Sequence, residues 1–263
     1  MNQPPIRFDD GAAYESFMGV WSRYAGDVFL DWLAPEAGRR WADVGCGNGA
    51  FTELLIRRCA PAGVQGIDPS EPQLAFARAR FAAGTPASFV VGDAEHLPWP
   101  DDAFDAAVMA LVIFFVPDPA KGVAEMARVV RPGGSVSAYA WDIFGGGFPF
   151  AALQDEMAAM GMAQVWPPSS DASRMDVLRA LWAGAGLVDV RSREIAVERT
   201  FDDFESFWAI ARTGPRLLPV LSAMPGDQAA ELKARVQARL GADAEGRVRC
   251  SAKANAVEGR VPG

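Results

Sequence analysis

The stretch RWADVGCGNGAFTELL, residues 40–55, combines an acidic residue with closely spaced glycines. Its apolar start ends at Asp43, and Gly45, Gly47 and Gly49 follow at every second position before an amphipathic segment begins. A strand that leads through a glycine turn into a helix presents backbone N–H groups to a ligand. The pattern therefore predicts a cradle for a nucleotide-like molecule.

Two acidic residues narrow the chemistry of that ligand. Asp43 stands at the ligand end of the first predicted strand, where a carboxylate would repel a pyrophosphate but would suit an ammonium group. Asp68 ends the second predicted strand, where it can accept hydrogen bonds from both hydroxyl groups of a ribose. The loose dinucleotide fingerprint G-x-G-x-x-A, read from Gly45, Gly47 and Ala50, keeps a nicotinamide dinucleotide open as an alternative.

A third acidic residue follows the next predicted strand, in the stretch VVGDAEHLPWPDDAFDAAV. Asp93 stands at the end of that strand, where its carboxylate could accept a hydrogen bond from an adenine amino group. The backbone of Ala94 could contact the adenine ring. These positions favour a ligand that contains adenosine.

Strand and helix patterns alternate from about residue 41 to residue 142 and would position these groups. Apolar runs such as FDAAVMALVIFF are typical of strands buried on both faces. Ser70 and Gln73 have the spacing of a capping box at the start of one intervening helix. Repeated strand–helix units of this size predict an α/β fold with a parallel sheet and helices on both faces.

The regular alternation ends after Asp142. The stretch LVDVRSREIAVERTF predicts two strands that form an antiparallel pair at the end of the sheet, and the last twenty or so residues, which lack an apolar period, are expected to be disordered. We interpret the chain, residues 1–263, as a single domain with a core at 39–142 and 173–200, N-terminal helices at 8–34, an insertion at 143–172, C-terminal helices at 201–242 and a tail at 243–263.

The stretches DVGCGNG, GIDPSEPQL, GDAEHLPWPDDAFD and ARVVRPGG together resemble the class I S-adenosylmethionine-dependent methyltransferases. Within that family they are most similar to the group that contains the ubiquinone and menaquinone biosynthesis C-methyltransferases. The resemblance covers roughly residues 40–142, in the same order and spacing. It implies a Rossmann-like, doubly wound sheet of seven mostly parallel strands, with N-terminal helices and a helical insertion and C-terminal cap. It also implies an enzyme that uses S-adenosylmethionine as its cofactor.

The resemblance also implies roles for single residues. The glycine loop and Asn48 would contact the methionine part of the cofactor, and the acidic residue before the loop would orient its ammonium group. Asp68 would bind the ribose, and Asp93 with Ala94 would bind the adenine. Ala110 falls where relatives often have a small polar residue, so only its backbone can contribute. The expected cofactor-binding residues are Asp43, Gly45, Cys46, Gly47, Asn48, Gly49, Asp68, Pro69, Asp93, Ala94, Ala110 and Trp21.

The segment before the glycine loop, AAYESFMGVWSRYAGDVFLDWL, predicts one or two helices. In the family that the chain resembles, this segment often closes over the cofactor, so Tyr14, Trp21 or Arg23 is expected to contact the cofactor or the substrate. A general base is needed only if the methyl acceptor starts protonated. The candidates for such a base are Tyr14, Tyr139 and Asp142.

Methyl transfer from a sulfonium is an in-line displacement that depends mainly on the distance and direction of the acceptor. Aromatic residues in and beside the insertion favour a small apolar or aromatic acceptor over a sugar or a nucleic acid. Two alternatives stay open: an NAD(P)-dependent oxidoreductase with a similar sheet, and a non-catalytic relative that binds S-adenosylmethionine. The aromatic residues are Trp141, Phe144, Phe148, Phe150, Trp166 and Trp208.

The composition disfavours several other classes of protein. A net charge of −8 argues against partners such as nucleic acid or an anionic membrane surface. The three cysteines are widely spaced, and His96, the one histidine, lies on a predicted surface turn, so we expect no metal site and no catalytic role for His96. The chain shows neither a membrane-spanning run nor an apolar signal segment, so we expect a cytoplasmic enzyme that acts on a small molecule.

Overall fold

The computed structural model describes residues 15–162, 164, 166–214 and 217–263, and Tyr14 therefore lies outside the described residues. The strands of one sheet run through the molecule: β1 (Arg40–Val44), β2 (Gly63–Asp68), β3 (Ala87–Val91), β4 (Phe104–Ala110), β5 (Val130–Trp141), β6 (Val188–Phe201) and β7 (Val248–Arg260). Their order across the sheet is β3-β2-β1-β4-β5-β7-β6. The strands from β3 to β5 pair in parallel, while β7 runs antiparallel to both β5 and β6. The expected seven-stranded, mostly parallel sheet is confirmed.

Helices connect and cover these strands. A π-helical turn at Glu15–Gly19 leads into the first α-helix, and 3-10 turns lie at Ile113–Phe115 and Ser170–Ser173. The α-helices are α1 (Val20–Leu33), α2 (Ala50–Cys59), α3 (Glu71–Arg80), α4 (Pro119–Val129), α5 (Ala151–Ala159), α6 (Met175–Gly184), α7 (Phe204–Ala211), α8 (Leu217–Ala223) and α9 (Gly226–Leu240).

The carboxyl ends of β1, β2 and β4 meet at one edge of the sheet, which we call the ligand edge. Parallel pairing sets Asp43 of β1 opposite Gly66 of β2 on one side and Val108 of β4 on the other. The chain order reverses at β1, because β2 and β3 continue to one side and β4 and β5 to the other. Such a switch point opens a crevice for ligands outside the carboxyl ends of the strands.

The start of α3 has the predicted cap. The Ser70 side chain accepts a hydrogen bond from the Gln73 backbone N–H at 3.5 Å, as expected from the capping-box spacing. Asp118 caps α4 in the same way, through the Lys121 N–H at 3.1 Å, with Pro119 in the first turn. These caps fix where the helices begin relative to the strands before them.

The prediction of a disordered tail at 243–263 was wrong, because most of that stretch is strand β7. This strand lies inside the sheet and pairs with β5 from Ser135–Arg260 to Trp141–Ala254. Its buried positions are occupied mainly by small side chains, such as Cys250, Ala252 and Ala256. Small side chains give only a weak apolar alternation, and the sequence therefore concealed a strand that fills a gap between two others.

The prediction of two short strands in LVDVRSREIAVERTF was also wrong. The stretch is one strand, β6, and its antiparallel partner is β7. A register shift lies between Val188 and Arg191, where Asp189 has a positive φ of 52°. The irregularity that looked like a turn between strands is therefore a bulge within one strand.

Strands β6 and β7 continue beyond the ligand edge. Their pairing runs from Ile195–Ala254 to Phe201–Val248, whereas β5 ends where Trp141 pairs with Ala254. This two-stranded extension rises above the sheet next to the N-terminal helix, which packs against both strands. It brings Phe201 to the side of the ligand edge opposite the glycine loop.

Candidate functional site

The glycine loop is fixed to the end of β2 by its backbone. The N–H groups of Gly45 and Cys46 both donate to the Ile67 carbonyl, at 2.8 and 3.0 Å. Gly45 has a φ of 77°, and a Cβ there would collide with the Val112 side chain, so glycine is required for two reasons. Gly47 also has a positive φ, of 51°, but a Cβ there would meet no atom within 4 Å. The loop therefore borders open space at Gly47.

Asp68 joins the glycine loop to the start of α3. Its Oδ2 accepts a hydrogen bond from the Gly47 N–H at 3.0 Å, and its Oδ1 accepts one from the Ser70 N–H at 2.9 Å. Burial raises the pKa of Asp68, and these two N–H groups act in the opposite direction. Each carboxylate oxygen can accept more than one hydrogen bond. The carboxylate thus keeps acceptor sites for hydroxyl groups of a ligand.

Asp43 lies beneath the loop with 0% of its surface exposed. Its Oδ2 accepts a hydrogen bond from the Thr52 hydroxyl at 2.6 Å, while its Oδ1 is buried and has no hydrogen-bond partner among the described residues. Burial raises the pKa of Asp43 to about 7, and the charge of Asp68 contributes to the rise although the Thr52 hydroxyl opposes it. A buried acceptor without a partner is costly unless a ligand donates to it. An ammonium group is a ligand group that fits this oxygen.

The other loop residues supply backbone and side-chain polar groups at the same place. Asn48 is 2% exposed, and its Oδ1 accepts a hydrogen bond from the Ala50 N–H at 3.2 Å. Gly49 has a φ of 77° and stands at the N-cap of α2. The Cys46 thiol is buried against Gly66 of β2, and burial raises its pKa well above the usual value. Cys46 is therefore a neutral packing side chain whose backbone belongs to the loop.

The predicted adenine-binding residues lie farther along the ligand edge. Asp93 follows β3 by two residues and is largely exposed, and its Oδ1 accepts a hydrogen bond from the Glu95 N–H at 2.9 Å. Ala94 is half-buried against the core, and Pro69 is an exposed residue between Asp68 and α3. Ala110 ends β4. The structure thus places these residues next to strand ends, and their contacts with a cofactor stay predictions.

The candidate bases are placed less favourably for proton transfer. Tyr139 is fully buried, with its ring 4.5 Å from that of Phe29 and 5.8 Å from that of Phe51, measured between centroids. Asp142 holds the turn after β5, because its Oδ1 accepts a hydrogen bond from the Gly145 N–H at 3.0 Å. Tyr14 is outside the described residues. These contacts favour packing for Tyr139 and a turn role for Asp142, and catalysis by either stays a prediction.

Trp21 belongs to an aromatic cluster at the far side of the ligand edge. It is 0% exposed and meets Phe150 edge-on, with ring centroids 6.5 Å apart. Phe150 is the hub of the cluster, since it also contacts rings from the π-helical turn, the insertion and α7. We call this set the aromatic cluster; it consists of Phe17, Trp21, Phe148, Phe150, Phe201 and Phe207.

The sequence identified only part of this cluster. We expected Trp21, Phe148 and Phe150 to lie near a ligand, and that expectation stays a prediction. The sequence analysis did not identify Phe17, Phe201 and Phe207. Phe207 is the fourth residue of α7, and its spacing from Phe204 along one helical face was the available signal. The other predicted aromatic residues divide between the core and the surface: Trp141 is buried, Trp208 is half-buried, and Phe144 and Trp166 are exposed with ring centroids 5.8 Å apart.

Within the described residues, no group of His, Cys, Asp and Glu side chains has the arrangement of a metal site. The same part of the chain contains no helix that is both long and apolar enough to cross a bilayer.

The residues at the centre of this site lie in a segment that matches a known protein family. Residues 42–138 match the family described as "Methyltransferase domain". This segment of the chain is therefore similar to a methyltransferase domain. The match includes Asp43, the glycine loop, Asp68 and Asp93, and it confirms the resemblance that the sequence motifs carried. It also favours S-adenosylmethionine over a nicotinamide dinucleotide, because S-adenosylmethionine is the cofactor of this class of domain.

Comparisons with single proteins agree with the methyltransferase domain. An uncharacterized methyltransferase of Mycobacterium tuberculosis is 35% identical over 132 residues, which are 49% of this chain and 51% of that protein. The demethylmenaquinone methyltransferase of Clavibacter sepedonicus is 38% identical over 104 residues, 40% of this chain and 42% of that protein. The chain thus spans about half the length of the curated relatives it matches.

The fold extends the similarity beyond the methyltransferase domain. The solved structure of the YcgJ protein from Bacillus subtilis superposes with a TM-score of 0.63 at 18% identity, covering 92% of this chain and 99% of that one. Solved proteins of the same fold include complexes with S-adenosylmethionine and with S-adenosylhomocysteine. The Rossmann-like methyltransferase fold is therefore confirmed, including the regions outside residues 42–138.

Proposed function

We propose that the chain transfers a methyl group from S-adenosylmethionine to a small, apolar or aromatic acceptor. The observation that carries the proposal is the joined pair of acids at the glycine loop. Asp68 is fixed by the Gly47 and Ser70 N–H groups, and Asp43 presents a buried oxygen without a partner among the described residues. One carboxylate suits a ribose and the other an ammonium group, and S-adenosylmethionine carries both.

The proposal gives each part of the cofactor a binding partner. The ribose hydroxyls would bind Asp68, the adenine would lie between Asp93 and Ala94, and the methionine part would lie along the glycine loop and Asn48. The open space beside Gly47 supports this direction of binding, because a side chain there would fill the volume that the cofactor needs. Ala110 would contribute its backbone only.

The bound cofactor supplies a methyl group on a cationic sulfur, and the chain supplies position. An acceptor atom held in line with that methyl group needs little further help, since the reaction disperses charge. The candidate bases that the structure describes are a buried tyrosine, Tyr139, and Asp142, which holds a turn, and an acceptor that reacts as an anion or a carbon nucleophile would need no base. The chain would act mainly by orienting the acceptor and excluding water.

An aromatic ring is the acceptor that the far side of the ligand edge favours. The aromatic cluster is almost entirely buried, so the apolar surface open to a ligand includes the pair of Phe144 and Trp166, which are 50% and 38% exposed with ring centroids 5.8 Å apart. Apolar pockets with few polar groups bind apolar ligands. The name of the Clavibacter relative supports quinols as the first acceptors to test. Three free cysteines fit a reducing, cytoplasmic setting for such an enzyme.

Two measurements test the proposal in sequence. Calorimetric titration with S-adenosylhomocysteine should show binding to the parent protein, whereas NADH and NADPH should show none. Labelled S-adenosylmethionine should then transfer its methyl group to at least one member of a panel of quinols, phenols, acids and amines, with products identified by mass. Absence of cofactor binding would refute the proposal. Binding without transfer across the panel would favour the non-catalytic relative.

A further inference from the structure

A carboxylate from the N-terminal segment reaches the glycine loop. Glu15, in the π-helical turn, accepts a hydrogen bond from the Asn48 side chain at 3.3 Å. The same carboxylate pairs with Arg80 at the end of α3, at 3.2 Å, and with Arg23 of α1. One side chain thus links the N-terminal segment, the loop and α3.

The partners of Glu15 are themselves partly withdrawn from solvent. The Arg80 side chain is 13% exposed and also pairs with Glu53 in the first turn of α2, at 2.8 Å. Burial would raise the pKa of Glu15, but the charges of Arg80 and Arg23 prevail and lower it. Glu15 is therefore an ionised group held between two guanidinium groups, which makes its contacts stronger than those of an exposed surface pair.

The backbone is shaped to accommodate this carboxylate. Gly19 has helical angles, a φ of −57° and a ψ of −40°, so its conformation does not require glycine. A Cβ at Gly19 would instead lie 2.7 Å from both Cδ and Oε1 of Glu15. The lack of a side chain at Gly19 thus leaves room for the carboxylate. Short π-helical segments of this kind often occur at functional sites.

We propose that Glu15 is a positioning residue for the cofactor, which holds Asn48 in place and ties the N-terminal segment to the glycine loop. The proposal rests on the proposed function, because Asn48 is the side chain expected to contact the methionine part. Phe17 and Met18, which follow Glu15, are buried in the core. The tie to Asn48 therefore connects the loop to a segment that is anchored elsewhere in the molecule.

The loss of this tie should affect the retention of the cofactor more than the fold. Without the Glu15 carboxylate, Asn48 loses one partner, and Arg23 and Arg80 no longer share a common anion. The aromatic anchor of the N-terminal segment, in which Phe17 stacks on Phe150 at 4.5 Å, would remain. The glycine loop would gain freedom that binding must remove again, and affinity would fall.

Two variants separate positioning from stability. Glu15→Gln removes the charge and should weaken the binding of S-adenosylhomocysteine about tenfold, within the usual range of coupling between sites. Gly19→Ala keeps Glu15 but displaces its flexible carboxylate, and it should weaken binding in the same direction. Because alanine is the better helix former, the thermal midpoint of Gly19→Ala should equal or exceed that of the parent. A purely structural role of Glu15 would not separate affinity from stability in this way.

Glu71→Gln is the matched control. Glu71 lies on the same helix as Arg80 and forms an ion pair with Arg78, but it does not touch the glycine loop. Its affinity for S-adenosylhomocysteine should equal that of the parent. Titration and thermal unfolding should be measured on all four proteins at one ionic strength, since exposed ion pairs respond to salt.

The outcomes distinguish this inference from the function on which it rests. If the parent protein does not bind S-adenosylhomocysteine, the proposed function fails. If the parent binds and Gly19→Ala retains parent affinity, the positioning role is refuted, even if Glu15→Gln has lost its fold. Equal weakening in Glu71→Gln would likewise refute it, because loss of any nearby negative charge would then suffice. Weakening in both test variants, with a stable Gly19→Ala, supports it.

Discussion

The ligand edge has two sides. The side expected to bind the cofactor, which we call the cofactor side, takes its polar groups from the short stretches after β1, β2 and β3. The side that holds the aromatic cluster, which we call the aromatic side, takes its rings from segments far apart in the chain. Gly45, Gly47 and Asp68 are fixed by backbone angles and by hydrogen bonds between the glycine loop and the end of β2. Phe17 and Phe207, which are far apart in the chain, both pack on Phe150. Directional polar contacts shape the first side, and packing shapes the second.

This difference means that the two sides should respond differently to substitution. A polar contact on the cofactor side can be removed while the sheet beneath it stays folded, because the sheet does not depend on the loop for its core. A ring removed from the aromatic cluster leaves a cavity that neighbouring side chains cannot fully close. Substitutions on the aromatic side should therefore lower stability, and those on the cofactor side should mainly lower affinity.

The largest expected effect is the loss of stability on replacing the hub of the aromatic cluster. Phe150→Ala should lower the free energy of unfolding by about 3–5 kcal/mol, the usual cost of removing a buried phenylalanine. Phe144→Ala is the matched control, because Phe144 lies in the same insertion but is 50% exposed. It should change stability by less than about 0.5 kcal/mol. Urea unfolding of the two variants and the parent measures both values, and equal destabilisation would contradict the packing role of Phe150.

Replacement of Asp68 should be the largest effect on the cofactor side. Asp68→Ala removes a charged acceptor for two ribose hydroxyls, each worth about 1.5–3 kcal/mol. The affinity for S-adenosylhomocysteine should fall by about 100-fold or more, as measured by titration. Glu71→Ala, which removes a nearby exposed carboxylate, should leave the affinity unchanged. Parent-like binding by Asp68→Ala would rule out the ribose role.

The sequence could predict the cofactor side because its signals are local. The glycine spacing, the acids at strand ends and the capping box at Ser70 each fit within a short stretch, and the structure keeps those stretches intact. The same locality explains why the strands from β1 to β5 could be expected from the alternating strand and helix patterns. Local backbone and capping preferences therefore carried most of the correct prediction.

The aromatic side could not be predicted to the same extent. The contacts between its rings depend on how α1, the insertion and the extension of β6 and β7 pack together. No short stretch of the sequence shows that packing. Strand β7 was missed because Ala252 and Ala256 fill narrow space where larger residues would have given a clear alternation. The sequence did not indicate a role for Glu15, because that role depends on an ion pair with Arg80, which the packing of α3 brings close to Glu15.

A pH dependence of cofactor binding should sharpen the contrast between the two sides. Burial raises the pKa of Asp43 from its ordinary value of 3.8 to about 7 in the folded protein. At pH 6 the free protein should therefore hold a proton on Asp43, and a bound ammonium group should expel it. The affinity for S-adenosylhomocysteine should be about tenfold lower at pH 6 than at pH 8, since one proton must be released.

The sign for stability follows from the same shift in pKa. Between about pH 4 and pH 7 the folded protein binds a proton that the unfolded chain has lost, so this carboxyl should make the free energy of unfolding fall as pH rises.

Calorimetry in two buffers of different ionisation enthalpy should detect the proton that the parent releases when it binds S-adenosylhomocysteine at pH 6. Asp43→Asn should release none, and equal proton release in this variant would assign the proton to another group.

The smallest expected effect concerns His96, which contacts Asp93, a residue expected to bind the adenine. Its Nδ1 is 3.3 Å from Asp93 Oδ1 and its Nε2 is 2.6 Å from Lys121 Nζ, and the side chains of His96 and Asp93 are largely exposed. Exposed pairs of this kind contribute little, so His96→Ala should change cofactor affinity by no more than about fivefold. Turnover of an acceptor should also change little, because these contacts place the imidazole at Asp93 and not at the glycine loop, where the methyl group would lie. A loss of turnover of roughly 10²–10⁴-fold with unchanged affinity would instead identify His96 as a general base. That result would place the methyl acceptor on the cofactor side, close to His96, and the acceptor would then have to enter the site past the adenine.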